Sequence, residues 1–89
     1  MMKLLIGIVH HTDGEEILRA LVDAHFPVTR IASSGGFLRR GSATLLVALP
    51  AEQIPSAIQL IREHCAPPVD LGLKRATVFV LNVERTEQL

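Results

Sequence analysis

The sequence predicts an α+β sandwich, with a four-stranded antiparallel sheet and two helices on one of its faces. Three observations support this class. The 89 residues show strand and helix patterns in the order strand, helix, strand, strand, helix, strand. Hydrophobic residues make up 48% of the chain and charged residues 20%, as in a packed globular domain. The length suits one small core. We therefore expect a single domain over residues 1–89.

The first half of the chain reads as strand, helix and strand. Residues 3–9 are short and apolar at consecutive positions, which is typical of a strand buried on both faces. Thr12 and Glu15 have the spacing of a capping box, so a helix is predicted to begin at Thr12. Pro27 cannot continue that helix, which should end near His25. Residues 28–32 alternate as a second strand.

The second half repeats the pattern. Residues 43–49 form a strongly apolar third strand, and residues 54–65 place apolar side chains on one helical face, with Pro55 in the first turn. Pro67 and Pro68 end that helix, and residues 76–83 supply a fourth strand. The order is that of the ferredoxin-like fold. Because the strands are apolar on both faces, self-association is expected to cover the face without helices.

Composition excludes several function classes. Nine basic residues balance nine acidic ones, so the whole chain carries no excess charge for nucleic acid or an acidic membrane. The apolar run at residues 4–9 is too short to span a bilayer. A single cysteine, Cys65, excludes an intrachain disulfide and fits a reducing compartment. We expect a cytoplasmic protein that binds neither membrane nor nucleic acid.

Residues 33–41 form the most distinctive segment, because they combine two adjacent glycines, one aromatic ring and two arginines between two strands. Gly35 and Gly36 allow the backbone to approach a ligand closely. Arg39 and Arg40 are suited to a phosphate, and Phe37 could pack on a base. The pattern favours a ligand loop. A tight turn with solvated arginines is the alternative reading.

Metal and catalytic patterns are weak. His10, His11, His64 and Cys65 are the residues that would suit zinc or copper, but their spacing matches no metal motif. Adjacent histidines at a strand end should point in opposite directions. No nucleophile–base arrangement or Walker-type phosphate loop is present in the sequence. We therefore predict no metal site and no enzymatic activity.

Three segments together resemble the P-II-like cyclic-di-AMP receptor proteins: residues 2–9, residues 29–41 with their Gly-Gly-Phe-Leu-Arg run, and residues 76–83. The resemblance implies a P-II-like homotrimer that binds cyclic-di-AMP or another adenine nucleotide in clefts between subunits. It implies signalling to a downstream protein of unknown identity, with no separate cofactor. The competing hypothesis is a structural or divalent-cation-binding trimer without nucleotide affinity.

The resemblance also implies which residues contact the ligand. Thr29 matches a nucleotide-contacting position, and the loop residues match positions that hold the ligand through backbone groups and apolar contact. The full predicted set is Val28, Thr29, Gly35, Gly36, Phe37, Leu38, Arg39 and Ser42.

The chain departs from the family pattern at several positions. His25 and Pro27 replace an Asn and an Arg, Ser42 replaces an Asn, and Ala48 replaces a Gly that lies close to the base. The connector of residues 66–75 is shorter than the usual family loop.

Overall fold

The chain folds as two strand–helix–strand halves that share one sheet. A computed structural model describes residues 1–31, 42–65, 76–87 and 89. Its elements are β1 (Met2–His10), α1 (His11–Asp23), β2 (Val28–Ile31), β3 (Ser42–Pro50), a 3₁₀ turn (Ala51–Gln53), α2 (Ile54–His64) and β4 (Ala76–Asn82). The strand boundaries differ from the predicted ones by one residue at most ends, which is the usual uncertainty for frayed strand ends.

The sheet has the order β2-β3-β1-β4, and every neighbouring pair is antiparallel. β1 and β3 occupy the centre. Both are nine residues long and pair along their whole length, from Met2 opposite Pro50 to His10 opposite Ser42. The two helices pack against each other on one face. The predicted ferredoxin-like α+β arrangement is therefore confirmed.

The core lies between the sheet and the helices, and strand alternation decides which residues enter it. In β1 and β3 the odd-numbered residues from Leu5 and Ala43 onward point at the helices and are buried. The fully buried large side chains are Leu5, Val9, Ile17, Leu21, Leu45, Val47, Leu49 and Ile61. Each contributes about 1.5–3 kcal/mol through burial of apolar surface.

The start of α1 differs from the capping box predicted at Thr12. The helix begins one residue earlier, at His11, and His10 is the N-cap residue. His10 Nδ1 accepts from the Thr12 backbone N–H at 3.3 Å and lies 2.7 Å from Thr12 Oγ1. The carboxylate of Glu15 pairs with two arginines. An imidazole, rather than the threonine hydroxyl, therefore satisfies the first free N–H group of the helix.

The end of α1 is a Schellman motif with histidine in the place of the usual glycine. His25 has φ of 68° and its N–H donates to the carbonyl of Val22 at 2.9 Å. The N–H of Phe26 donates to the carbonyl of Leu21 at 3.0 Å, and both side chains pack in the core. Since the left-handed region is sterically costly for a residue with a Cβ, His25 carries local strain.

The sheet face without helices, here called the open face, is largely apolar. The even-numbered residues of β1 and β3 lie on it, together with alternate residues of β4 that pair with them. Phe79 is 51% exposed and Leu81 49%. The apolar side chains of this face among the described residues include Met2, Leu4, Ile6, Ile8, Ile31, Leu46, Ala48, Phe79 and Leu81. An apolar surface of this extent is typical of an interaction site.

Candidate functional site

Thr29 and Ser42 lie on the same side of the sheet, next to the segment predicted to hold a ligand. Thr29 pairs with Leu46 in the β2–β3 ladder, and Ser42 is two residues before Thr44, which pairs with Ile31. Since alternate residues of a strand share a face, both hydroxyls belong to the open face. Thr29 is exposed and Ser42 is half-buried. Hydroxyl groups there can donate to or accept from a ligand.

Val28 faces the opposite way. It pairs with Val47, which is fully buried, and its side chain packs against the core under the helices. A ligand on the open face can therefore meet only the backbone of Val28. Val28 and Thr29 were both predicted as ligand contacts, and strand alternation separates the two side chains.

The central part of the predicted site lies outside the described residues. This part comprises Gly35, Gly36, Phe37, Leu38 and Arg39. The described ends of the two flanking strands, Ile31 and Ser42, fix where the segment leaves and rejoins the sheet. Both residues lie at the end of the sheet where β1 stops and α1 begins, since His10 pairs with Ser42.

The departures from the family pattern fall into two groups. Ala48 lies on the open face, two residues beyond Leu46, the partner of Thr29, and its side chain is exposed. Its methyl group therefore lies on the same face as Thr29. His25 and Pro27 belong to the turn between α1 and β2, where His25 takes the left-handed conformation. Asparagine and histidine are both enriched in this conformation among residues with a Cβ, so the replacement is compatible with the turn.

Arg30 follows Thr29 in β2 and has its side chain on the helix face. Its Nη1 lies 3.4 Å from Oε2 of Glu15 in the N-terminal half of α1. The same carboxylate lies 3.7 Å from Nη2 of Arg19, one turn further along the helix. A Cβ on Gly14 would lie 3.7 Å from Nη2 of Arg30, at ordinary van der Waals distance, so the guanidinium runs alongside Gly14.

The sequence did not reveal the Arg30–Glu15 pair. Alternation in β2 places the side chains of Arg30 and Thr29 on different faces of the sheet, and this can be predicted from the sequence. Its partner, however, lies on another element fifteen residues earlier and is brought close only by folding.

The histidines of the described chain do not assemble a metal centre. Among these residues, no group of three or more His, Cys, Asp or Glu side chains could hold a metal ion. His10 and His11 were predicted to point apart, and this was wrong. Their rings stack with centroids 4.8 Å apart, because His11 already belongs to the helix and strand alternation ends at His10. His64 Nδ1 lies 3.3 Å from Oε1 of Glu16.

A separate groove of about 330 Å³ lies between the end of α2 and β4, in the helix layer. Apolar side chains line it, together with Arg62 and the half-buried thiol of Cys65. Val78 belongs to this groove and therefore lies on the face of β4 opposite Phe79. The groove is thus on the other side of the sheet from Thr29.

Neither helix in the described parts of the chain is long and apolar enough to cross a bilayer.

Comparison with protein families identifies one match. The family model described as "Cyclic-di-AMP receptor" matches residues 2–68. The matched region includes β1, α1, β2, β3 and α2, and with them Thr29, Arg30 and Ser42.

Solved structures support the same architecture. A functionally unknown protein from Pediococcus pentosaceus ATCC 25745 superimposes with a TM-score of 0.76 at 26% identity, covering 99% of this chain and 97% of that one. A DUF3240 family protein from Shewanella baltica OS155 superimposes with a TM-score of 0.70 at 15% identity, covering 99% and 96% of the two chains. The second likeness concerns the fold alone.

Proposed function

Since this chain belongs to the cyclic-di-AMP receptor family, we propose that it is a non-enzymatic, P-II-like signalling protein that binds cyclic-di-AMP or another adenine nucleotide. The observation that carries the proposal is the family match over residues 2–68, which spans the glycine-rich segment and both strands that flank it. The exposed hydroxyl of Thr29 and the half-buried one of Ser42, on one face beside that segment, support it further.

In the proposed site the flanking hydroxyls bind the polar parts of the nucleotide. Thr29 and the backbone N–H groups at Gly35 and Gly36 hold the phosphates, and Phe37 with Leu38 encloses the base. The full set also takes in the charge of Arg39, the hydroxyl of Ser42 and the backbone of Val28.

We further propose that the protein acts as a homotrimer with the site between subunits. The apolar open face supports this, because Phe79 and Leu81 are about half exposed there and both helices lie on the other side of the sheet. Thr29 lies on the edge strand of the same face. A neighbouring subunit that covers the open face would therefore come close to Thr29.

The proposed output is a change in the surface offered to a downstream protein in the cytoplasm. Ligand binding would shift the population of conformations of the single 1–89 domain, and a partner would recognise the bound form. Catalysis has no part in this scheme.

The test is a thermal-shift and calorimetry panel with cyclic-di-AMP, ATP, related nucleotides and divalent metal ions. A nucleotide at about 100 times its dissociation constant should add about 2.7 kcal/mol to the free energy of unfolding. Thr29→Ala and Phe37→Ala should each weaken binding, since they remove a phosphate contact and the ring against the base. Thr86→Ala, which alters an exposed threonine outside the sheet, is the matched control and should bind normally.

One outcome of this panel would contradict the receptor proposal. If no nucleotide raises the melting temperature while a divalent metal does, the receptor proposal is wrong and a cation-binding protein takes its place.

A further inference from the structure

β2 is the least supported strand of the sheet. It has four residues and lies at the sheet edge, so it pairs with β3 alone. Thr29, Arg30 and Ile31 are all exposed, and only Val28 enters the core. A strand with little buried surface on either face has a weakly specified position and register. The contacts that fix the position of β2 therefore determine where the Thr29 side chain lies.

Arg30 makes a contact that fixes β2. From the strand position next to Thr29 it reaches across to Glu15, with Nη1 3.4 Å from Oε2. The N-terminal half of α1, which carries Glu15, is firmly packed. Ile17 is fully buried, Asp13 is 5% exposed, and Gly14 lies directly against Ala43 of β3. The backbone of Glu15 is thus held in place by packing, and the ion pair with Arg30 links the edge strand β2 to α1.

We propose that Arg30, held by Glu15, is a positioning residue for the ligand site: it fixes the end of β2 so that Thr29 stands on the open face in one arrangement. Arg30 points away from the open face, so it acts through the strand and does not touch the nucleotide. This inference rests on the proposed function for its ligand, but the anchoring of β2 is measurable in the free protein.

The two arginines on Glu15 offer a matched comparison. Arg19 and Arg30 lie 3.7 Å and 3.4 Å from the same carboxylate, yet Arg19 belongs to α1 itself and only Arg30 belongs to β2. Removing either arginine changes the net charge by the same amount. Only the removal of Arg30 should loosen the attachment of β2 to α1.

The first measurement is hydrogen–deuterium exchange of the β2 amides in the free protein. Arg30→Gln and Glu15→Gln should each speed exchange in β2 by about 1.5- to 5-fold, the factor that an exposed ion pair contributes, and leave β1 unchanged. The double variant should be no faster than Arg30→Gln alone, because both changes break one contact. Arg30→Lys should retain part of the protection, and Arg19→Gln all of it.

The second measurement is nucleotide affinity for the same variants, by calorimetry on folded protein. Arg30→Gln should weaken binding by at most the factor seen in exchange, because affinity follows the fraction of protein in which β2 is in place, and Arg19→Gln should not weaken it. Unaltered β2 exchange in Arg30→Gln, or an equal effect of Arg19→Gln, would overturn the positioning role. If the native protein binds no nucleotide, the proposed function fails, while the exchange data still decide whether Arg30 anchors β2.

Discussion

Two glycines between the sheet and the helices differ in what a methyl group would meet. An ideal Cβ on Gly14 of α1 would lie 3.0 Å from the Cβ of Ala43, closer than ordinary van der Waals contact. The same atom on Gly7 of β1 would lie 3.8 Å from Ile61 Cδ1 and Leu5 Cδ2, at normal contact distance. The first glycine therefore permits the approach of α1 to the sheet, and the second does not need to be glycine.

This difference predicts opposite effects for two identical substitutions. Gly14→Ala should lower the free energy of unfolding by about 1–3 kcal/mol through overpacking, in spite of a helix propensity gain of about 1 kcal/mol. Gly7→Ala should raise it by about 0.5–1 kcal/mol, since alanine loses less backbone entropy in a strand. Urea unfolding of both variants measures this.

The combination Gly14→Ala with Ala43→Gly is the control, because it removes the methyl group that Gly14→Ala meets. It should recover part of the lost stability. A more stable Gly14→Ala variant would show that α1 and β3 are not in tight contact.

At the scale of the elements, α1 is held at both ends by histidines. His10 satisfies the N–H of Thr12 at the first turn, and His25 adopts the left-handed conformation after the last one. Neither residue is the preferred choice at its position, which serine, threonine, asparagine or aspartate fills at the start and glycine at the end.

His10→Ala should therefore cost about 0.5–2 kcal/mol of stability, the usual loss when a helix cap is removed. His10→Asn should retain most of it, because the asparagine Oδ1 can accept from the Thr12 N–H in place of the imidazole Nδ1. Chemical denaturation of the two variants provides the measurement. Equal losses in both would mean that the ring stacking with His11, not the accepted hydrogen bond, stabilises this turn.

The same helix shows which parts of the fold were readable from the sequence. The strands and helices were predicted to within a few residues, because apolar periodicity is a local signal. The predicted capping box is not what forms the start of the helix. The side chain of Thr12 contacts His10, and the carboxylate of Glu15 pairs with Arg19 and Arg30. Of these partners His10 and Arg19 are near in sequence, whereas Arg30 reaches Glu15 only through folding and leaves no mark in local spacing.

The candidate site divides in the same way. Strand alternation is enough to separate the side chains of Val28 and Thr29, whereas the register of β2 and β3 is needed to place Ser42 on the face of Thr29. The roles of Gly35, Gly36, Phe37, Leu38 and Arg39 come from residue chemistry and family resemblance and stay predictions.

At the scale of the whole molecule, the two faces of β4 offer a test of assembly. Phe79 lies on the open face and is 51% exposed, while its neighbour Val80 lies on the helix face and is 41% exposed. If the open face is covered in a trimer, Phe79→Lys should dissociate it, because a buried unpaired charge is costly. Val80→Lys should leave the trimer intact.

Light scattering coupled to size exclusion reads the mass of each species directly. A monomeric native protein would contradict the trimer, and dissociation by Val80→Lys alone would place the contact on the helix side of β4.

The exposed ring of Phe79 has a practical consequence for spectroscopy. The chain contains three phenylalanines and neither tyrosine nor tryptophan, so it has almost no absorbance at the wavelength commonly used for protein detection. A tryptophan in place of Phe79 would be the sole indole of the molecule and would sit on the open face. Its emission would shift to the blue as water leaves that surface, which turns an optically silent protein into one whose association can be followed by fluorescence in real time.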